Sequence, residues 1–138
     1  MYIRALVPCD AILENPDGSF DLKRAGINEL VAPHFPAQMN FAVLLRLELD
    51  DDEALKLHWA RISVSHAGVP LLPDVPTPLV VRNRVPGQPC YLNLFMRFNL
   101  ELAGPGELQL SGRIDDEVAF PTMRLFASLG TADGSSAH

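Results

Sequence analysis

Runs of strict period-two alternation constrain this chain more than any other feature of it. From Met39 the odd positions read Met39, Phe41, Val43, Leu45, Leu47 and Leu49, with Asn40, Arg46 and Glu48 among their neighbours. From Cys90 the even positions read Cys90, Leu92, Leu94, Met96, Phe98, Leu100 and Leu102, against Asn93, Arg97, Asn99 and Glu101. A further run puts Ile3, Ala5, Val7, Cys9, Ala11 and Leu13 in one phase. Successive side chains of a strand point to opposite faces, so each run offers one face to a core and one to water. Antiparallel sheets packed face to face meet that demand. The expected fold is all-β: a single antiparallel β-sandwich, immunoglobulin-like or similar in outline, of about seven to nine strands.

Shorter segments complete the pattern. Leu108, Leu110 and Ile114 form a strand between a break at Pro105-Gly106 and a turn at Asp115-Asp116. Val118 to Leu129 closes the fold, with a phase change near Pro121 that predicts a bulge or an edge position. Asp50 to Arg61 is ambiguous. Asp50 and Glu53 have capping-box spacing, and Leu55, Trp59 and Ile62 suit a helix, whereas Leu55, Leu57 and Trp59 suit one face of a strand. The strand is preferred, because Ile62 and Val64 lead into a turn at His66-Ala67-Gly68. Residues 69–89 hold six of the twelve prolines and read as an extended connection with a short edge strand at Leu79 to Arg82. The 138 residues suit one domain, a sandwich over 1–129 with a frayed polar tail over 130–138.

The acidic stretch Glu14-Asn15-Pro16-Asp17-Gly18-Ser19-Phe20 reads as a hairpin turn. Pro16 presets φ for the first central position of a type I turn, Asp17 suits the second, and Gly18 takes the positive φ of a bulge. A calcium loop needs acids alternating onward, and Ser19 to Arg24 supplies only Asp21. The runs Asp50-Asp51-Asp52-Glu53 and Asp115-Asp116-Glu117 suit exposed turns, with acidic calcium loops at one end of the sandwich as the alternative. His58 and His66 share a strand face too far apart for one metal.

No serine sits in a G-x-S-x-G elbow, and there is no P-loop and no G-x-G-x-x-G. Cys9 and Cys90 are expected as buried thiols rather than a disulfide or a nucleophile. A formal charge of -6 argues against nucleic acid. No apolar run nears the roughly 18 residues of a membrane span. Only four residues separate Arg4 from Cys9, too few for a signal h-region, so the expected compartment is the cytoplasm.

Taken in order, Cys9-Asp10, Asn15-Pro16-Asp17-Gly18, Gly26-Ile27 and His34-Phe35-Pro36 resemble the opening of a bacterial domain-of-unknown-function family of about this length. Gly68 stands at that family's later "dG" turn without the aspartate. Pro105-Gly106 stands at its "pG" position, with Leu108 where an aromatic is usual. The resemblance implies a β-sandwich and no established activity, cofactor or catalytic residue.

The expected function is therefore a non-catalytic interaction or structural module without a cofactor. The alternatives are a calcium-dependent ligand-binding module and an enzyme with a scattered site. The expected contact surface is the nominally wet face carrying Leu44, Arg46, Tyr91, Phe95 and Arg97, because aromatic and arginine side chains together match interface cores. Its expected partner is a second copy of the chain or another protein, not nucleic acid and not a membrane.

Overall fold

The two strongest alternating runs pair with each other. In the computed structural model, which describes residues 1–81 and 85–130 and only the backbone at 73–75, β1 spans Tyr2–Cys9, β5 Ala37–Leu49 and β8 Cys90–Leu102. β5 and β8 run antiparallel with Phe41 opposite Phe98 and Leu45 opposite Leu94, and β1 flanks β5 to give a three-stranded sheet, β1-β5-β8. The Phe41 and Phe98 rings stack with centroids 4.9 Å apart.

A β-bulge at Arg4 changes the phase of β1. Ile3 opposes Leu47, but Ala5 opposes Arg46, so Arg4 is the extra residue. Beyond it Leu6 and Pro8 face the main core, opposite Leu45 and Val43, while Cys9 opposes Ala42 on the outer face. The single phase expected from Ile3 to Leu13 is therefore broken, because a one-residue insertion sends the following side chains to the other side of the sheet.

The second sheet has five strands in the order β4 (Glu29–Ala32), β10 (Val118–Leu129), β9 (Gly106–Ile114), β6 (His58–His66) and β7 (Val69–Leu79). Leu108, Leu110, Ile114, Val64 and Leu125 from this sheet share one buried core with Val43, Leu45 and Leu47 from the other. The sandwich thus has eight strands among the described residues. It departs from the antiparallel expectation at one edge, where β4 runs parallel to β10. A separate hairpin, β2 (Ala11–Glu14) with β3 (Phe20–Lys23), lies outside both sheets.

Two sequence expectations are corrected. The strand preferred over Asp50 to Arg61 begins only at His58. Asp51–Ala54 is a helical turn, α1, whose capping box is closed by Glu53 N–H donating to the Asp50 carboxylate at 2.8 Å and Asp50 N–H donating to Glu53 Oε1 at 3.0 Å. Leu55 and Leu57 are exposed, so the alternation through them carries no burial. The proline-rich connection is a full edge strand, β7. Pro70, Pro76 and Pro78 sit opposite Ser65, Arg61 and Trp59, at a sheet edge where a missing N–H is tolerated. The short strand expected at Leu79 to Arg82 lies one element too late, and Arg82 and the tail beyond Gly130 fall outside the described residues.

The turn chemistry is as read. Gly18 has φ 85°, its N–H donates to Asn15 O at 3.0 Å, and Asp17 Oδ1 accepts from Ser19 N–H at 3.0 Å. A bulge between Phe120 and Met123 accounts for the phase change at Pro121. Opposite it, Gly112 leaves room for the Phe120 ring: a Cβ there would lie 2.0 Å from Phe120 Cζ and 2.5 Å from Arg61 O.

Candidate functional site

The outer face of the three-stranded sheet is divided in two, and the β2–β3 hairpin makes the division. The hairpin is tied down at its base, where Asp10 N–H donates to Lys23 O at 2.8 Å and Gly26 N–H donates to Pro8 O at 2.7 Å. It folds across the sheet and buries Cys9, Ile12 and Ala42, with Phe20, Leu22, Leu44 and Phe95 packed around them. Phe20 meets Phe95 edge to face, centroids 5.2 Å apart. Arg97 lies over the Phe95 ring and donates from Nη2 to Ile12 O at 3.1 Å. Leu44, Phe95 and Arg97, three of the five expected contact residues, are thus the seat of the chain's own hairpin.

Among the described residues nothing covers the other half of that face. Register aligns Tyr2 on β1, Glu48 on β5 and Tyr91 on β8 in one row across three strands, with Arg46 opposite Asn93 in the next. Arg4, freed by the bulge, donates from Nη2 to Glu48 Oε2 at 2.6 Å and lies 5.0 Å from the Tyr2 ring centroid. Arg46 lies 4.1 Å from the Tyr91 centroid and donates from Nη1 to Asn93 Oδ1 at 3.2 Å. The hydrogen bond from Arg4 holds the Glu48 carboxyl below its usual range, with Tyr91 contributing, and the same bond raises Arg4. Tyr2 is 62% exposed and Tyr91 41%. A groove of about 590 Å³ continues this surface along β8, between Gly18 at the hairpin tip and Val80 and Val81.

The two acidic runs do come to one end of the sandwich, as a calcium site requires, but what stands between them is His58. Its Nδ1 faces Asp115 Oδ2 and its Nε2 faces the Glu53 carbonyl, while Asp115 Oδ1 accepts from Trp59 N–H. The carboxylate is engaged on both oxygens by the chain's own donors. Among the described residues no three His, Cys, Asp or Glu side chains converge as metal ligands.

His66, the other buried histidine, packs its ring on Gly106, and its Nε2 has no hydrogen-bond partner among the described residues. Both cysteines are free and buried. Burial, with Asp10 adding to it, pushes the Cys9 thiol up, which dulls it as a nucleophile. Among the described residues no helix is long and apolar enough to cross a membrane.

Arg46 and Tyr91 were readable as surface residues from their phase alone. Tyr2 and Arg4 are hidden from a reading of the sequence, because a bulge at Arg4 leaves no trace in composition. A signal existed in Glu48, which shares the phase of Arg46 on the strongest strand of the chain.

No curated protein matches the chain. The model of one family does match, over residues 4–122, and so takes in the hairpin, the bulge and both tyrosine-bearing outer strands except Tyr2 and Ile3. The chain belongs to that family, which is described as a family of unknown function (DUF6941).

Proposed function

We propose that the protein is a non-catalytic interaction module that docks a protein partner on the open half of the small sheet, and that the partner is a second copy of the chain. The observation that carries this reading is the Tyr2–Glu48–Tyr91 row with an arginine against each tyrosine. Tyrosine and arginine dominate the energetics of protein interfaces, since each combines a large apolar contact area with a directed polar end. A sheet also presents these groups at low entropic cost, because their backbone is already fixed. The patch carries both signs, Arg4 paired with Glu48 and Arg46 on the same face, so it is not of one sign and does not repel a second copy of itself outright. The compartment that goes with this reading is the cytoplasm, where the unpaired thiols of Cys9 and Cys90 remain reduced.

Light scattering on the wild type and on Tyr91→Glu tests it. The wild type is expected to show a dimer mass at micromolar concentration, and Tyr91→Glu the monomer mass. A wild type that stays monomeric throughout that range removes the second copy as the partner.

A further inference from the structure

The outer face of the large sheet carries a different chemistry. Arg61 on β6 and Arg113 on β9 stand directly opposite one another, and the next row sets Ser63 against Ser111. Like charges facing each other across an antiparallel pair repel. Asp116 answers part of that charge, lying 3.6 Å from Arg61 Nε, but Arg113 has no ion-pair partner among the described residues. The Ser63 and Ser111 hydroxyls lie 3.0 Å apart. One donates to the other, so the acceptor's own proton is left to donate outward. These side chains line a depression of about 430 Å³, opened by the small Ala119 opposite Arg113 and by Thr122 in the β10 bulge.

We propose that this depression binds a small oxyanion of the phosphate type. A guanidinium presents paired N–H donors in the geometry of a tetrahedral oxyanion. Here the Arg113 guanidinium, the Arg61 guanidinium paired with Asp116, and the Ser63, Ser111 and Thr122 hydroxyls border one concavity, with the Asp116 carboxylate at its edge. An anion that binds the folded sheet and not the unfolded chain stabilises the fold, so filling the site raises the melting temperature. The site is on the sheet opposite the tyrosine row and is independent of how that row is used.

The probe is inorganic phosphate, with acetate and chloride at matched ionic strength, read by thermal unfolding of the wild type, Arg113→Gln and Ser111→Ala. Arg113 is exposed, so its substitution leaves the core intact. Phosphate is expected to raise the wild-type melting temperature saturably above chloride. Arg113→Gln should weaken the apparent affinity about tenfold or more, and Ser111→Ala by less. An equal response to acetate assigns the same donors to carboxylates. A phosphate response no larger than that of chloride, or one undiminished in Arg113→Gln, overturns the proposal.

Discussion

His58 Nδ1 lies 2.5 Å from Asp115 Oδ2, and on the other side of the ring His58 Nε2 lies 2.6 Å from the Glu53 carbonyl oxygen. A carboxylate and a carbonyl only accept, so with both bonds made the two ring nitrogens donate and the ring is an imidazolium. It joins α1, the start of β6 and the β9–β10 turn through one cation.

That cation makes stability depend on pH in a definite direction. Burial lowers the His58 pKa, but the bonds to Asp115 and Glu53 outweigh it and raise it above 6.5. Burial likewise pushes the Asp115 carboxyl up, and the His58 and Trp59 bonds outweigh it to bring it below 3.8. The histidine contribution is complete below 6.5 and is lost as pH rises through its folded value. The aspartate contribution is present above 3.8 and is lost as pH falls through its folded value. Urea midpoints measured across this range should fall on the alkaline side for the wild type, and this fall should be absent in His58→Gln. Asp115→Asn, which keeps a residue tolerant of the positive φ of 54°, should cost about 1–3 kcal/mol near neutrality. Parallel pH profiles for wild type and His58→Gln would refute the imidazolium.

Gly112 sits beneath the Phe120 ring with backbone on its other side. Gly112→Ala should destabilise by about 3 kcal/mol, because Arg61 O cannot move aside as a side chain would. Adding Phe120→Leu should restore only part of that loss. Full recovery in the double variant would show the ring to be the sole obstacle.

The hairpin shields Cys9, so its opening is readable as thiol exposure. Gly18→Val puts a β-branched residue at φ 85° and should loosen the turn by about 1–2 kcal/mol. Native-state thiol labelling should then speed up about tenfold at Cys9. Cys90, in the main core, should label at the unchanged slow rate. Equal acceleration at both cysteines would mean that the hairpin does not open separately.

Phe95 and Tyr91 share a strand and a face but belong to different halves of it. Phe95→Ala removes the contact with Phe20 and should cost about 2 kcal/mol of stability. Tyr91→Ala should cost less than about 1 kcal/mol, the scale of its contact with Arg46. Denaturant midpoints decide. A reversed order would place the hairpin's seat elsewhere on β8.

The sheets were legible in the sequence because β5 and β8 alternate without interruption, and burial of one face forbids a one-residue slip. The PDG turn was legible because Gly18 answers a single conformational need. β1 was not, since one bulged residue at Arg4 changes the meaning of the positions up to Cys9 without altering their hydrophobicity. β7 was concealed by prolines that are compatible with an edge strand as well as with a loop. The division of the outer face was beyond the sequence as well. Phase puts Phe95 and Tyr91 on the same side of β8, and only the path of the hairpin makes one of them core and the other surface. The Arg61–Arg113 pair depends in the same way on register between strands far apart in the chain.

The claim that the Tyr2–Glu48–Tyr91 row is a docking surface between copies is tested most directly by hydroxyl-radical footprinting of the wild type across a concentration series. Tyr2 and Tyr91 should lose reactivity as concentration rises, while Trp59 and Phe126, both exposed on the large sheet, stay constant. Tyrosine reactivity that does not change with concentration, or protection that falls on Trp59 and Phe126 instead, would contradict the account.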